Sequence, residues 1–294
     1  MVVVVDDHDA ATDEFLHHRG LLFSIAYNIL GSVADTEDVI QETWMGWASR
    51  RRGGSAVENP RAYLVRIAVN GALGRRLVIE RRQESYPGPW LPEPLVASPA
   101  EAVETTESVS FAIMVVLETL TPLERSVFVL GDVFGYPHAE IAAIVDRTPA
   151  AVRQLAHRAR EHVQARRPRF PVDTGLRERV TERFLAALLG GDLDALMDVL
   201  APEVVVWTDG GGKARMAGRR GTQPREKVAH MLAAGAFRPH PDFAAAYRDV
   251  NGERSIVMTS GGEPFAVVVL DIDTAGAVCG VYAVTNPDKL IHVS

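Results

Sequence analysis

TPLERSVFVLGDVFGYPHAEIAAIVDRTPAAVRQLAHRAREHVQARR, residues 121–167, decides the fold of the N-terminal half. Thr121-Pro122-Leu123-Glu124 is a capping box with proline at the first helical position, so a helix starts there. Gly135-Tyr136-Pro137 is a turn, and His138–Val145 is a short helix with Ile141, Ala142 and Val145 on one side. After Asp146-Arg147-Thr148, Thr148 can cap and Pro149 can start a longer helix over 149–166. Val152, Leu155, Ala156 and Ala159 recur there at i, i+3, i+4 and i+7, which buries one face. Arg153, Gln154, His157, Arg158 and Arg160 take the opposite face. Small Ala142 and Ala156 let the two helices approach closely. A helix with polar and basic residues near its start, set against a scaffold helix, suits the DNA major groove. Arginine and glutamine can make paired hydrogen bonds to base edges, while Arg166, Arg167 and Arg169 would reach phosphates, which position without specifying. These residues alone leave open an ordinary helical hairpin with a solvated basic face.

Upstream, 13–90 is also helical. Leu22, Ile25, Ala26 and Ile29 are spaced helically between Phe15 and Leu30, and Gly31-Ser32 ends that run. A second helix covers Ala34 to Ser49, with Ile40, Thr43, Trp44 and Trp47 inward and Asp35, Asp38, Gln41 and Glu42 on the other side. Residues 50–55, three arginines followed by Gly-Gly-Ser, are expected to form a basic loop. Asn59-Pro60 opens a third helix that runs to about Arg82 and carries Arg61, Arg66, Arg75, Arg76, Arg81 and Arg82, with Tyr63 and Asn70 available for base contacts. With the arginine loop it could hold an unstacked base, since bases leave the stack only when other contacts offset the loss.

Pro87, Pro89, Pro92, Pro94 and Pro99 make 86–107 an extended linker, and a helix from Val109 to Leu120 follows it. A second boundary lies at Pro168 and Pro171. Beyond it, Leu176–Leu189 and Leu193–Leu200 are amphipathic helices, and β-branched strands follow at Val204–Thr208, Ser255–Thr259, Phe265–Ile272 and Ala277–Val284. Asn251-Gly252 is a two-residue hairpin signal, and a helix over Pro224–Ala234 interrupts the strands. Helices followed by an antiparallel meander predict an α+β domain with helices on one face of a curved sheet.

The 294 residues suffice for two or three domains, and 47% hydrophobic with 23% charged is an ordinary globular composition. The net charge of -7 argues mildly against nucleic acid, but the acidic face of Asp35, Glu37, Asp38 and Glu42 is segregated from the two basic helices and fits a basic protein partner. Cys279 is the single cysteine, which excludes an intramolecular disulfide and a cysteine-based zinc site. A signal peptide and a membrane-spanning run are not expected, so the expected location is the cytoplasm.

The two helical units, in this order and joined by a linker, resemble the σ2 and σ4 domains of extracytoplasmic-function (ECF) sigma factors. Asp38-Val39-Ile40-Gln41-Glu42-Thr43-Trp44 is similar to the segment that docks on core RNA polymerase. Asn59-Pro60-Arg61-Ala62-Tyr63-Leu64 and Asn70 are similar to the helix that reads the minus-ten element, and Val152 to Arg160 to the helix that reads the minus-thirty-five element. Trp90-Leu91-Pro92-Glu93-Pro94, Asp209-Gly210-Gly211-Gly212-Lys213 and Asn286-Pro287-Asp288-Lys289-Leu290 resemble motifs of the SigJ-like subgroup, which carries a fused SnoaL-like C-terminal domain. The resemblance implies σ2 as a three-helix bundle at 13–85, a linker at 86–107, a σ4 helix-turn-helix at 108–168 and an α+β cone at 175–294. It implies core polymerase as partner, through its β′ clamp helices and β flap with Asp38, Gln41 and Glu42 on this side, and promoter DNA. Arg61, Tyr63, Asn70, Arg75 and Arg76 would serve the minus-ten element; Arg153, Gln154, His157, Arg158 and Arg160 the minus-thirty-five. An anti-sigma partner is compatible with the family but not required, and no cofactor or metal is implied. Gly74, Val78 and Ile79 depart from the family pattern.

The three subgroup motifs are expected to meet as a regulatory contact, with Lys213 or Lys289 pairing with Glu93 and Leu290 packing on Trp90 or Leu91. The glycine run can equally be a plain turn or an anion-binding nest of backbone N–H groups; its spacing is not that of a P-loop. Two competing readings are a stand-alone helix-turn-helix regulator and a C-terminal cyclase or isomerase. The latter would need a base aimed into a pocket, for which Asp209, His230, His240 and Asp271 are available but form no spacing signature. Regulation rather than catalysis is expected.

Overall fold

The computed structural model describes residues 7–53, 57–96, 109–166, 172–214, 218, 220–235 and 242–293, with backbone only for 7–10. Gly54, Ser55, Arg167, Arg169 and His240 lie outside the described residues. The chain divides into two compact units. The first comprises residues 1–82, 99–109 and 116–165; the second comprises 83–98, 110–115 and 166–294. The described part of the linker, 86–96, thus belongs with the C-terminal domain, and the two helical regions share the first unit except for residues 110–115.

In the first unit α1 (Asp7–Leu30), α2 (Val33–Arg52) and α3 (Pro60–Glu84) form the N-terminal bundle. The Ser32 side chain caps α2 by accepting the Asp35 N–H at 3.2 Å. Trp47, fully buried, donates its indole N–H to the Ala11 carbonyl at 2.8 Å and ties α2 to α1. In α3, Leu64, Val65, Ala68, Val69, Ala72 and Ile79 are buried at helical spacing, and Asn59 accepts the Ala62 N–H at 3.0 Å. The expected loop at 50–55 is corrected in its first half: Arg50–Arg52 form the last turn of α2. Cations there complement the helix dipole, and Arg51 and Arg50 stack over Trp47 and Tyr63 at 5.6 and 5.9 Å. Asp35, expected on the exposed side, is buried because Arg75 and Arg82 neutralise it at 3.6 and 3.3 Å.

The same unit holds the helix-turn-helix. The helix expected over Val109–Leu120 is shorter, α4 (Phe111–Leu117), because Thr119 and Leu120 turn back to bond the Val116 and Leu117 carbonyls. α5 (Pro122–Phe128) begins with the capping box, both reciprocal bonds of Thr121 and Glu124 being present. It runs into a π-helical turn, Val129–Val133, before α6 (His138–Ile144) and α7 (Pro149–Arg166). Thr148 caps α7 by accepting the Ala151 N–H at 3.2 Å, and Val152, Ala156 and Ala159 are buried as the periodicity requires.

In the second unit α8 (Thr174–Gly190), α9 (Leu193–Val199) and α10 (Arg225–Ala233) accompany five strands: β1 (Leu200–Asp209), β2 (Phe243–Val250), β3 (Glu253–Ser260), β4 (Glu263–Ile272) and β5 (Val278–Val284). The sheet order is β1-β5-β4-β3-β2. β2 to β5 form the expected meander, and Asn251-Gly252 turns the first hairpin with φ of 52° and 74°, the left-handed pair such a turn needs. β1 departs from the expected pattern: it pairs parallel to β5. Alternation along the strands buries both faces. Ile256, Met258, Val268, Leu270 and Val281 pack with Phe184, Leu188, Val228 and Leu232 of the helices. On the opposite face Val257, Val267, Val269, Tyr282 and Val284 pack with Leu91 and Phe111. The helices therefore cover one face, and the linker helps cover the other.

Candidate functional site

The parallel pairing of β1 with β5 matters because it aligns Asp209 with Val284, so both strands end on the same side of the sheet. The segments after them, Gly210–Lys213 and Asn286–Leu290, are thereby brought together although over 70 residues separate them. Thr285 locks the junction, donating its N–H (2.7 Å) and hydroxyl (3.1 Å) to the Asp209 carbonyl.

The Asp209 side chain is fully buried and accepts from four donors. One oxygen takes the Leu91 N–H at 2.9 Å and the Lys289 ammonium at 2.8 Å. The other takes the Tyr86 hydroxyl and the Gly211 N–H, the latter at 3.2 Å. Asn286 donates to the Tyr86 oxygen at 2.9 Å. Burial and then the bond to Asp209 push the Tyr86 phenol far above its ordinary value, so it stays a donor. Lys289 also donates to the Leu91 carbonyl, and its ammonium lies 3.6 Å from the centre of the Trp90 ring and 5.3 Å from that of Tyr86. A desolvated cation over two aromatic faces is held by their quadrupoles.

Around this polar centre Leu91, Pro92, Glu93 and Pro94 are buried and Trp90 is half-buried. Leu290 packs in the cluster containing Leu91, as expected. The linker then joins the sheet edge: Val96 bridges Val250, and Leu95 exchanges bonds with Asn251 at 2.8 and 3.2 Å. The expected pairing of Lys213 with Glu93 is corrected, since Lys213 pairs with Asp288 at 2.5 Å; Lys289 pairs with Asp209. The glycines are a close-approach device. A Cβ on Gly212 would come within 2.7 Å of Pro87, and one on Gly211 within 2.6 Å of Asn286, at positive φ in both cases. Pro87 was read in the sequence only as a linker proline, and Tyr86 was not singled out; its place beside the linker prolines was the one signal for it.

Of the four residues considered as catalytic bases, His240 lies outside the described residues, and the other three are engaged separately. Asp209 is occupied by its four donors, the His230 ring bonds the Glu226 carbonyl of its own helix at 2.7 Å, and Asp271 sits on β4.

In the first unit, Arg153, Gln154, His157 and Arg158 are exposed on α7. Arg158 is tethered to Glu124 at 3.0 Å and Arg160 to Asp132 at 2.6 Å. Asp38, Gln41 and Glu42 are exposed on α2, where Arg75 reaches Asp38 at 3.1 Å and Glu42 at 3.4 Å. Arg75 thus bridges α3 to the acidic face. Arg61 is exposed on the first turn of α3, 5.8 Å from the Tyr136 ring centre, and Tyr63 is half-buried against Trp47. Asn70 donates to the Arg66 carbonyl at 2.8 Å and to the Ile144 carbonyl at 3.2 Å. Arg76 is corrected: it is fully buried and paired with Glu118 at 2.9 Å, so in this arrangement it cannot touch nucleic acid. Gly74 is exposed, with nothing within 4 Å of a built Cβ, so a side chain there has room.

Comparison with known proteins follows these divisions. A family model of sigma-70 region 2 matches residues 15–77, and one of sigma-70 region 4 matches 110–163. The chain is 36% identical to the ECF RNA polymerase sigma factor SigJ of Mycobacterium tuberculosis, over 94% of this chain and 92% of that protein. It is 26% identical to the probable ECF RNA polymerase sigma factor SigI of the same species, over 97% of each. The crystal structure of Mycobacterium tuberculosis SigJ superposes with a TM-score of 0.75 at 32% identity, covering 95% of this chain and 98% of that one.

Proposed function

This chain belongs to the ECF sigma factors of RNA polymerase, and from that premise we propose that its C-terminal α+β domain regulates promoter use by gripping the linker between regions 2 and 4. The observation that carries the reading is the Asp209 centre, where Tyr86, Trp90 and Leu91 of the linker meet Lys289 and Asn286. Sigma regions 2 and 4 read elements on either side of the linker, so a domain that fixes the linker's course biases how far apart they can reach. The domain works by contact and not by turnover; the full engagement of Asp209 supports this.

A coupling of this kind is worth about 1–3 kcal/mol, a factor of roughly 5–150. Transcription from a cognate promoter, reconstituted with core polymerase, is therefore expected to change by a factor in that range for Trp90→Ala and Lys289→Ala in the full chain, while both variants keep their helical circular dichroism. Unchanged output from both would remove the regulatory reading and leave the sigma assignment standing.

Asp38, Gln41 and Glu42 are the proposed core-facing residues, supported by their exposure on one face of α2. For the minus-thirty-five element, Arg153, Gln154 and His157 are the proposed base readers. Arg158 and Arg160, held by Glu124 and Asp132, are proposed to orient α7 and meet the backbone. Arg153→Ala is expected to cost about 1–3 kcal/mol of promoter affinity and to relax base preference, whereas Arg166→Ala lowers affinity evenly across sequences and reduces the salt slope by about one. A systematic single-base promoter series on the holoenzyme measures both, and an unaltered base preference in Arg153→Ala rules out its assigned role. Arg61, Tyr63 and Asn70 are the proposed minus-ten contacts. Regulation by the fused domain requires no separate anti-sigma protein.

A further inference from the structure

Within the first unit, the seam between region 2 and region 4 is built on charge. Arg76 of α3 and Arg125 of α5 are both fully buried, and both bind the one carboxylate of Glu118, at 2.9 and 2.6 Å. Arg76 also reaches the Leu30 carbonyl at 3.3 Å, and Arg125 reaches the Asn28 carbonyl at 2.9 Å, so each guanidinium is anchored to the end of α1 as well. Burial by itself would raise the Glu118 carboxyl, but Arg125 and Arg76 hold it down at about 2. Two cations sharing one anion leave the cluster with an excess positive charge in a water-poor site. Such clusters add little net stability, because desolvation offsets the attraction, yet they fail sharply when one partner is removed.

The seam also engages residues proposed above to read the promoter, although both remain exposed. Asn70 donates to the carbonyl of Ile144 at the end of α6, and Arg61 lies over Tyr136. Asn59, Arg61 and Ala62 face Phe134, Tyr136, Pro137 and Glu140 across a pocket of about 240 Å³. The start of α3 therefore looks at the turn and scaffold helix of region 4.

We propose that the Arg76–Glu118–Arg125 cluster is an autoinhibitory latch that closes region 4 over the minus-ten face of region 2, so that this closed seam and a single promoter strand compete for Asn70 and Arg61. The three side chains of this lock are distinct from those of the linker grip by the C-terminal domain, and opening it releases Arg76 for phosphate. The inference rests on the minus-ten reading of α3, and the experiment below separates the two.

The test uses the full chain, with Cys279→Ser and cysteines introduced at the exposed positions Ala34 and Ala143, spin-labelled for distance measurement. Glu118→Gln keeps the shape of the side chain but not its charge. It is expected to shift the label distance to a longer, broader distribution and to tighten binding of a single-stranded minus-ten oligonucleotide, without core polymerase, by at least about tenfold. A folded Glu118→Gln chain with unchanged distance and unchanged affinity overturns the latch. Should Glu118→Gln fail to fold, the unmutated cluster decides: adding the oligonucleotide must lengthen the Ala34–Ala143 label distance. Binding at unchanged distance overturns the latch while preserving the minus-ten reading; absence of oligonucleotide binding even with core polymerase removes the minus-ten reading and the latch with it.

Discussion

Replacing Asp209 by alanine is expected to release the linker from the C-terminal domain and to destabilise the second unit by about 3–5 kcal/mol, the usual penalty for leaving a buried charge without its partner. The group that loses the Asp209 carboxylate is the Lys289 ammonium, which is 8% exposed. Tyr86 and the Leu91 N–H lose their acceptor in the same step. Denaturant unfolding of the full chain measures the loss, and proteolysis within the linker reports its release. Asp209→Ala combined with Lys289→Ala removes both members of the ion pair, so the two are expected to be less damaging together than the sum of the single changes, by about 0.5–3 kcal/mol. Strict additivity, or an Asp209→Ala chain as stable as the parent, would show that the ion pair is incidental to the docking.

The second large effect concerns where promoter specificity resides. The chain without core polymerase is expected to bind its own promoter only in the non-specific range, with a dissociation constant of roughly 10⁻⁴–10⁻⁶ M at physiological salt, and to protect it from cleavage only once core polymerase is added. Three features produce this. The net charge of -7 gives little general attraction to phosphate. Arg75, Arg158 and Arg160 are already paired with carboxylates, so DNA must displace those partners. Asn70 is bonded to the Ile144 carbonyl. On the proposed reading, core polymerase takes the acidic face of α2, and that binding offsets the opening of these contacts. Nanomolar, sequence-specific binding by the free chain, indifferent to core polymerase, would instead describe a stand-alone regulator.

Much of this was legible in the sequence, because it depends on neighbours within one or two turns. The capping box at Thr121, the caps at Ser32 and Thr148, and the buried stripe of α7 are all local, and the hairpin at Asn251-Gly252 is a two-residue matter of left-handed backbone. The division into helical regions and an α+β domain follows from the boundary prolines Pro168 and Pro171 and from the switch to β-branched strands at Val204. Tertiary structure alone decided which long-range partners these elements find. Periodicity marks a strand but not its neighbour, so the parallel pairing of β1 with β5 was invisible, and with it the reason that the Asp209 and Asn286 segments meet. Charge counts marked Arg76 as one more arginine on a basic helix. Its burial follows from a single carboxylate, Glu118, placed 42 residues away in the chain. The Asn286–Tyr86 bond joins residues 200 apart. A side chain's helical face is set by its own neighbours, but whether that face meets water, nucleic acid or another part of the chain is set by whichever distant group can best satisfy its charge and hydrogen bonds.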